Sequence, residues 1–156
     1  KRLCYADSNT EPMTQGQTLM RAVVLSRLLK RKLDGNKHVG VFLPSSVGGA
    51  MANIALGLLK RIPINLNYTI GQEVIDSCVR QAEITQVLTS KMFLHKVKLE
   101  PTGELIYLED LRKELKLTDK LWGVAARILP GWFVDRFLLA LADVSIDDTA
   151  PVIFSS

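Results

Sequence analysis

A chain of 156 residues is long enough for one domain with a real core. Hydrophobic residues at 47% and charged residues at 23% are usual for a globular protein and exclude disorder along the whole chain. The net charge of +4 is modest and does not point to nucleic acid, and no apolar run reaches the ~18–20 residues of a membrane span.

Much of the positive charge sits in one cluster, Arg27, Lys30, Arg31, Lys32 and Lys37, at the end of a predicted helix. A basic helix end complements the helix dipole, so the cluster reads as a solvated face, with a nucleic-acid or lipid patch as the alternative. Cys4 and Cys78 match no metal or redox spacing, and nothing resembles a secretion signal. The expectation is a reducing, cytoplasmic compartment and structural thiols. The first residue is Lys1, which reads as a processed or excised start.

Residues 1–16 carry turn chemistry in Asp7, Ser8, Asn9, Glu11, Pro12 and Gly16 and read as irregular. A helix is predicted over Gln17–Lys32 from the wide apolar stripe of Leu19, Ala22, Val23 and Leu29. Asp34-Gly35-Asn36 is expected to close it with a left-handed backbone. Val39–Leu43 is a continuous apolar run stopped by Pro44, as in a strand buried on both faces of a parallel sheet. Ser45 or Ser46 is placed to cap the next helix, predicted over Val47–Lys60. Its Gly48-Gly49 pair, with Ala52, Ala55 and Gly57, is read as allowing close packing. No G-x-G-x-x-G or G-x-x-x-x-G-K-S/T pattern supports a nucleotide loop there.

Ile62–Asn67 alternates as a strand exposed on one side would, with Pro63 at its start or on an edge. Thr69-Ile70-Gly71-Gln72 has the spacing of a capping box before an amphipathic helix with Val74, Ile75, Cys78, Val79 and Ala82 on one face. Thr85–Thr89 is a strand, and Ser90 caps a short helix through Met92, Phe93 and Leu94. Pro101–Glu104 is a turn, Leu105–Leu108 a strand, and Glu109-Asp110-Leu111 opens a further helix. Helices and strands therefore alternate, which predicts an α/β fold with a mostly parallel sheet flanked by helices.

From Thr118 the composition shifts. Trp122, Ile128, Trp132, Phe133, Phe137 and Leu141 lie on either side of Pro130-Gly131, which predicts a helical hairpin over 118–142. Packing on its own protein is the ordinary reading. The sharper one is peripheral membrane contact through Trp122–Leu141, with Lys120, Arg127 and Arg136 at the headgroups. The chain then reaches Asp147-Asp148-Thr149-Ala150-Pro151 and the apolar run Val152-Ile153-Phe154, ending in Ser155-Ser156: a short strand delivering hydroxyls to a loop.

No catalytic constellation closes on residue types alone. His38 and His95 have no second ligand at metal spacing, no G-x-S-x-G elbow exists, and the pairs Glu109-Asp110 and Asp147-Asp148 read as capping or solvated acids.

The ordered set of segments carries more than any one of them. Val39-Gly40-Val41-Phe42-Leu43-Pro44-Ser45-Ser46, Leu56–Asn67 and Gln86-Val87-Leu88-Thr89-Ser90 follow one another as in the AMP-forming acyl synthetases, the superfamily of acyl-CoA synthetases, adenylation domains and luciferases. The chain resembles the N-terminal α/β subdomain of that superfamily over most of its length. Ile153-Phe154-Ser155-Ser156 resembles the opening of the family's phosphate-binding motif, Tyr/Phe-Thr/Ser-Ser-Gly-Ser/Thr-Thr-Gly-x-Pro-Lys-Gly, of which the chain carries the first three residues.

Asn65–Thr69, Leu88–Leu94 and Leu105–Arg112 are more narrowly similar to the bacterial acyl-acyl carrier protein synthetases, often fused behind a 2-acylglycerophosphoethanolamine acyltransferase domain. The resemblance implies a ligase that uses ATP and Mg to form acyl-adenylate from a fatty acid. The acyl group then passes to acyl carrier protein or coenzyme A, in phospholipid acylation at the inner face of a bacterial membrane. Ser155 and Ser156 are the residues it assigns here, as the incomplete start of the ATP phosphate loop. It assigns no catalytic residue and no metal ligand within 1–156, and a chain ending there is expected to be inactive alone. The competing reading is a non-catalytic α/β interaction or membrane-docking module.

Overall fold

The computed structural model describes residues 3–7, 10–128 and 152–153. Five parallel strands form the central sheet: β3 (His38–Phe42), β4 (Ile62–Asn65), β5 (Gln86–Thr89), β6 (Glu104–Tyr107) and β7 (Val152–Ile153), in the order β6-β5-β3-β4-β7. Helices α2 (Val47–Leu58), α3 (Gln72–Gln81), α4 (Lys91–Val97) and α5 (Leu108–Lys113) alternate with them, after α1 (Gln15–Lys30) and before α6 (Leu117–Ile128). The α/β expectation holds.

Both faces of the sheet are covered. On one, Leu28 and Leu29 of α1, Ala52, Ala55 and Leu56 of α2 and Leu111 of α5 bury Val39, Val41, Leu88 and Ile106. On the other, Ile75, Cys78 and Val79 of α3 and Phe93 of α4 bury Phe42, Ile62, Ile64 and Val87. That double coverage explains why the sequence of β3 reads as an unbroken apolar run from Val39.

It also corrects the reading of β4 as open on one side, since Ile62, Pro63 and Ile64 are all buried. Pro63 is tolerated because the odd N–H positions of β4 face away from β3. The Ile62 and Leu66 amides bond to Lys37 and Val41 across β3, whereas β7 pairs only from Ile64 onward.

The N-terminal segment is not irregular. β1 (Leu3–Asp7) and β2 (Thr10–Thr14) form an antiparallel pair whose register shifts twice between Leu3↔Thr14 and Asp7↔Thr10. Such bulges break the period-two pattern by which strands are recognised. The helix after it starts two residues earlier than predicted, at a capping box formed by Thr14 and Gln17. The Gln17 amide donates to Thr14 Oγ1 at 3.4 Å and the Thr14 amide to Gln17 Oε1 at 2.9 Å.

The capping box expected at Thr69 and Gln72 is absent. Asn67 Oδ1 accepts from both the amide (2.9 Å) and the hydroxyl (2.7 Å) of Thr69, so α3 begins instead from Gly71 without a side-chain cap. Nor does Asp34-Gly35-Asn36 end α1 in a left-handed turn. The helix stops at Arg31, and the three residues form a loop clasped by the Arg61 guanidinium, which donates to the carbonyls of Asp34, Gly35 and Asn36.

The basic cluster is not simply solvated. Arg27 and Arg31 converge on Asp119, whose side chain is 0% exposed: Arg31 donates at 3.1 and 2.9 Å, Arg27 at 3.3 Å, and the Lys116 amide at 3.1 Å. The hydrogen bonds from Arg31 above all hold this carboxyl down to about 2 despite its burial. Asp119 thereby pins the start of α6 to α1. Further along, a Cβ on Gly123 would stand 2.6 Å from Val24 Cγ2 and 3.0 Å from Met20 Cγ, so only glycine allows this crossing. α6 covers the first part of the segment read as a hairpin over 118–142; Leu129–Ala142 lie outside the described residues.

Candidate functional site at the C-terminal edge of the sheet

The ends of β3 and β4 open into a cleft of about 470 Å³. One wall is the turn Pro44-Ser45-Ser46 and the start of α2; the other is Asn65, Leu66, Asn67 and Tyr68. Ser46, rather than Ser45, caps α2, its Oγ accepting from the Gly49 amide at 3.3 Å. Gly49 is needed where it stands, because a Cβ there would lie 2.8 Å from the Pro44 carbonyl oxygen. Gly48 and Gly57 are exposed with no such contact, so close packing accounts for Gly49, Ala52 and Ala55 but not for all the small residues of this helix.

Asn53 of α2 and Asn65 of β4 tie the two walls together by a reciprocal amide pair, 3.1 Å one way and 3.0 Å the other. Asn53 also donates to the Gly49 carbonyl at 2.9 Å, which fixes its orientation. Tyr68 is held edge-on to Phe93 at 5.2 Å between ring centroids, and Phe93 in turn packs 5.5 Å from Phe42. The same edge is braced at β5, where the buried Thr89 hydroxyl donates to the Phe42 carbonyl at 2.8 Å.

No Asp, Glu, His, Lys or Arg is among the described residues lining the cleft. The polar groups there are serine, asparagine and tyrosine side chains, which can orient a ligand by hydrogen bonding. Asn53 carried no motif in the sequence; Asn65 and Asn67 lie in the segments Leu56–Asn67 and Asn65–Thr69 that carry the resemblance, where nothing marked them as cleft residues.

The residues singled out by motif fall around this cleft unevenly. β7 runs parallel to β4 with Asn65 opposite Ile153, so the strand expected before the two serines ends at the cleft's edge of the sheet. Ser155 and Ser156 themselves, and Asp147-Asp148, lie outside the described residues. His38 is remote from the cleft, its Nδ1 2.9 Å from the Ala82 carbonyl oxygen, and His95 is exposed on α4. Glu109 serves α4 structurally, accepting from the Ser90 hydroxyl at 2.7 Å and the Lys91 amide at 3.1 Å. Among the described residues no group of three or more His, Cys, Asp or Glu side chains converges as a metal site would require, and no helix is long and apolar enough to cross a membrane.

A parallel sheet with helices on both faces and a cleft beyond the carboxyl ends of its strands defines the class of α/β proteins that bind ligands at that edge. Within that class the fold is that of the N-terminal subdomain of adenylation enzymes. The structure is similar to the N-terminal subdomain of NpsA from Klebsiella oxytoca (TM-score 0.60, 14% identity, 69% of this chain and 27% of that one). It is also similar to NpsA-ThdA, an artificially fused adenylation-PCP di-domain from the same organism (TM-score 0.63, 12% identity, 74% and 21%). A benzoate CoA ligase from Burkholderia xenovorans LB400 aligns likewise (TM-score 0.60, 16% identity, 73% and 25%). The chain thus spans about a quarter of the length of these proteins. No protein-family profile matches it.

Proposed function

We propose that the chain is the N-terminal part of an ATP-dependent acyl-activating enzyme. In that enzyme a fatty acid carboxylate oxygen attacks the α-phosphate of Mg-bound ATP, the bond to the leaving pyrophosphate breaks, and acyl-adenylate forms. A thiol of acyl carrier protein or coenzyme A then displaces AMP. The observation that carries this reading is β7: a strand at the sheet's end whose last paired residue, Ile153, lies opposite Asn65 of the cleft. Ser155 and Ser156 follow by two and three residues, a reach of roughly 7–10 Å, and are assigned to the start of the ATP phosphate loop.

The fold likeness supports the reading, as does the NpsA subdomain in complex with anthranilyl-AMSN, an adenylate analogue. The described residues of the cleft supply neutral polar groups, to which a binding and framing role is assigned. The test is fatty-acid-dependent exchange of pyrophosphate into ATP by the gene product extended beyond Ser156. Exchange there, and its loss by about 10²-fold or more in Ser156→Ala, would support the assignment. No exchange with any carboxylic acid would end it.

Membrane contact is a second reading, favoured by one feature. Leu117, Leu121, Val124 and Ile128 recur at helical spacing on α6 and are 73%, 60%, 44% and 75% exposed, with Trp122 beside them at 40%. Co-sedimentation with anionic liposomes, lost in Trp122→Ala, would support peripheral docking of the parent at the inner face of a membrane; no co-sedimentation would remove it.

A further inference from the structure

A second cavity lies away from the sheet-edge cleft, between α1, α5 and α6. It measures about 420 Å³, within the range of small-molecule sites. Val24, Leu25 and Leu28 of α1, Leu111 of α5, Leu115 of the following turn and Val124 of α6 give it a nearly wholly apolar interior. Its mouth is the opposite. Each of the three helices raises one exposed cation beside it: Arg21 from α1, Arg112 from α5 and Lys120 from α6.

Two facts make these cations informative. Among the described residues no acidic side chain lines the cavity, and none of the three cations has a carboxylate within ion-pair distance. The nearby acids are already engaged: Asp119 by Arg27 and Arg31, Glu114 by Lys32, and Asp110 by Lys91 and Lys113. Arg27 of α1 and Lys113 of α5 are engaged by these acids, whereas the three cations at this mouth, like Lys30 at the end of α1, have no carboxylate partner among the described residues. The cavity's shape, moreover, does not await a ligand. The Asp119 clamp and the close crossing at Gly123 fix α6 against α1, so the walls stand in place.

We propose that this groove binds a single-chain amphiphile with an anionic head, its acyl chain among the leucines and its carboxylate or phosphate at Arg21, Arg112 and Lys120. Burial of methylene groups supplies the affinity, and the three cations select the charge of the head. Binding there needs no ATP and no residue of the sheet-edge cleft, so it stands or falls apart from adenylate formation.

The test is calorimetric titration of the 156-residue chain with palmitate, 1-palmitoyl-lysophosphatidate and hexadecanol below their aggregation concentrations. Saturable one-to-one binding is expected for an anion, with hexadecanol weaker by about tenfold or more. The tighter of palmitate and lysophosphatidate identifies whether free fatty acid or lysolipid is the source. The doubly neutralised variant Arg112→Gln/Lys120→Gln, changed only at exposed positions, should lose about tenfold for the anions and nothing for hexadecanol. Leu115→Trp, which fills the groove, should abolish binding of all three. Absence of saturable binding by either anion, equal binding of hexadecanol, or unchanged affinity in the double variant would overturn the proposal. Should Leu115→Trp fail to fold, the double variant alone decides.

Discussion

Replacing Asp119 by Asn would test the buried carboxylate that ties α6 to α1. The carboxyl is fully buried and held at about 2, from a usual value near 3.9. A shift of that size corresponds to roughly 2.5 kcal/mol at neutral pH. Both guanidiniums remain about one-third exposed, at 37% and 35%, so solvent screens the pair and the expected loss is about 1–2 kcal/mol. Asp119→Ala should lose more, because it also strips the Lys116 amide of its acceptor.

The sign with pH follows from the depressed value. Stability from this carboxylate is fully present above about pH 5, declines as pH drops below about 4, and is lost as pH falls through about 2. Urea unfolding of wild type and Asp119→Asn, followed by circular dichroism at several pH values from about 7 to 2, measures both quantities. The gap between the two proteins should be constant at and above pH ~5 and close on acidification. Equal stability at neutral pH, or a gap independent of pH, would refute the reasoning.

Thr14→Ala should cost about 1 kcal/mol of stability by breaking the capping box of α1, while Thr69→Ala, outside any helix cap, should cost distinctly less; chemical denaturation compares them directly. Gly103→Ala should destabilise by roughly 1–3 kcal/mol, since φ is +120° and a Cβ would lie 2.9 Å from the Thr85 carbonyl, and thermal melting reads the loss. A double-mutant cycle on Asn53→Ala and Asn65→Ala should return a coupling of about 1 kcal/mol, and a coupling near zero would mean the pair does not brace the cleft.

Local signals in the sequence were most informative where they agreed with the global pattern. The apolar runs around Val41 and Val87, the Ser46 and Ser90 caps and the amphipathic spacing of Ile75, Cys78 and Val79 all specify the elements found. Two of the failures share one cause, competition among hydrogen-bond partners that spacing alone cannot rank. Thr69 had a Gln three residues on, as a capping box requires, but Asn67 lay closer. Asp34-Gly35-Asn36 had helix-stop residues, but Arg61, 25–27 residues away, took their carbonyls.

Asp119 carried no signal in the sequence, and only the packing of α6 on α1 brings it to Arg27 and Arg31, 92 and 88 residues away in sequence. The cleft was half legible. The hydroxyl turn after β3 and the strand before Ser155 were visible as segments, whereas the Asn53–Asn65 pair requires the crossover of α2 to place it.

Pyrophosphate exchange on the gene product extended past Ser156 tests the central proposal most directly. The account predicts fatty-acid-dependent exchange by the extended protein, carried by a Gly-Ser/Thr-rich stretch followed by Lys immediately after Ser156, and none by residues 1–156. An extended protein that lacks that stretch and exchanges pyrophosphate with no carboxylic acid, or robust exchange by residues 1–156 alone, would contradict it.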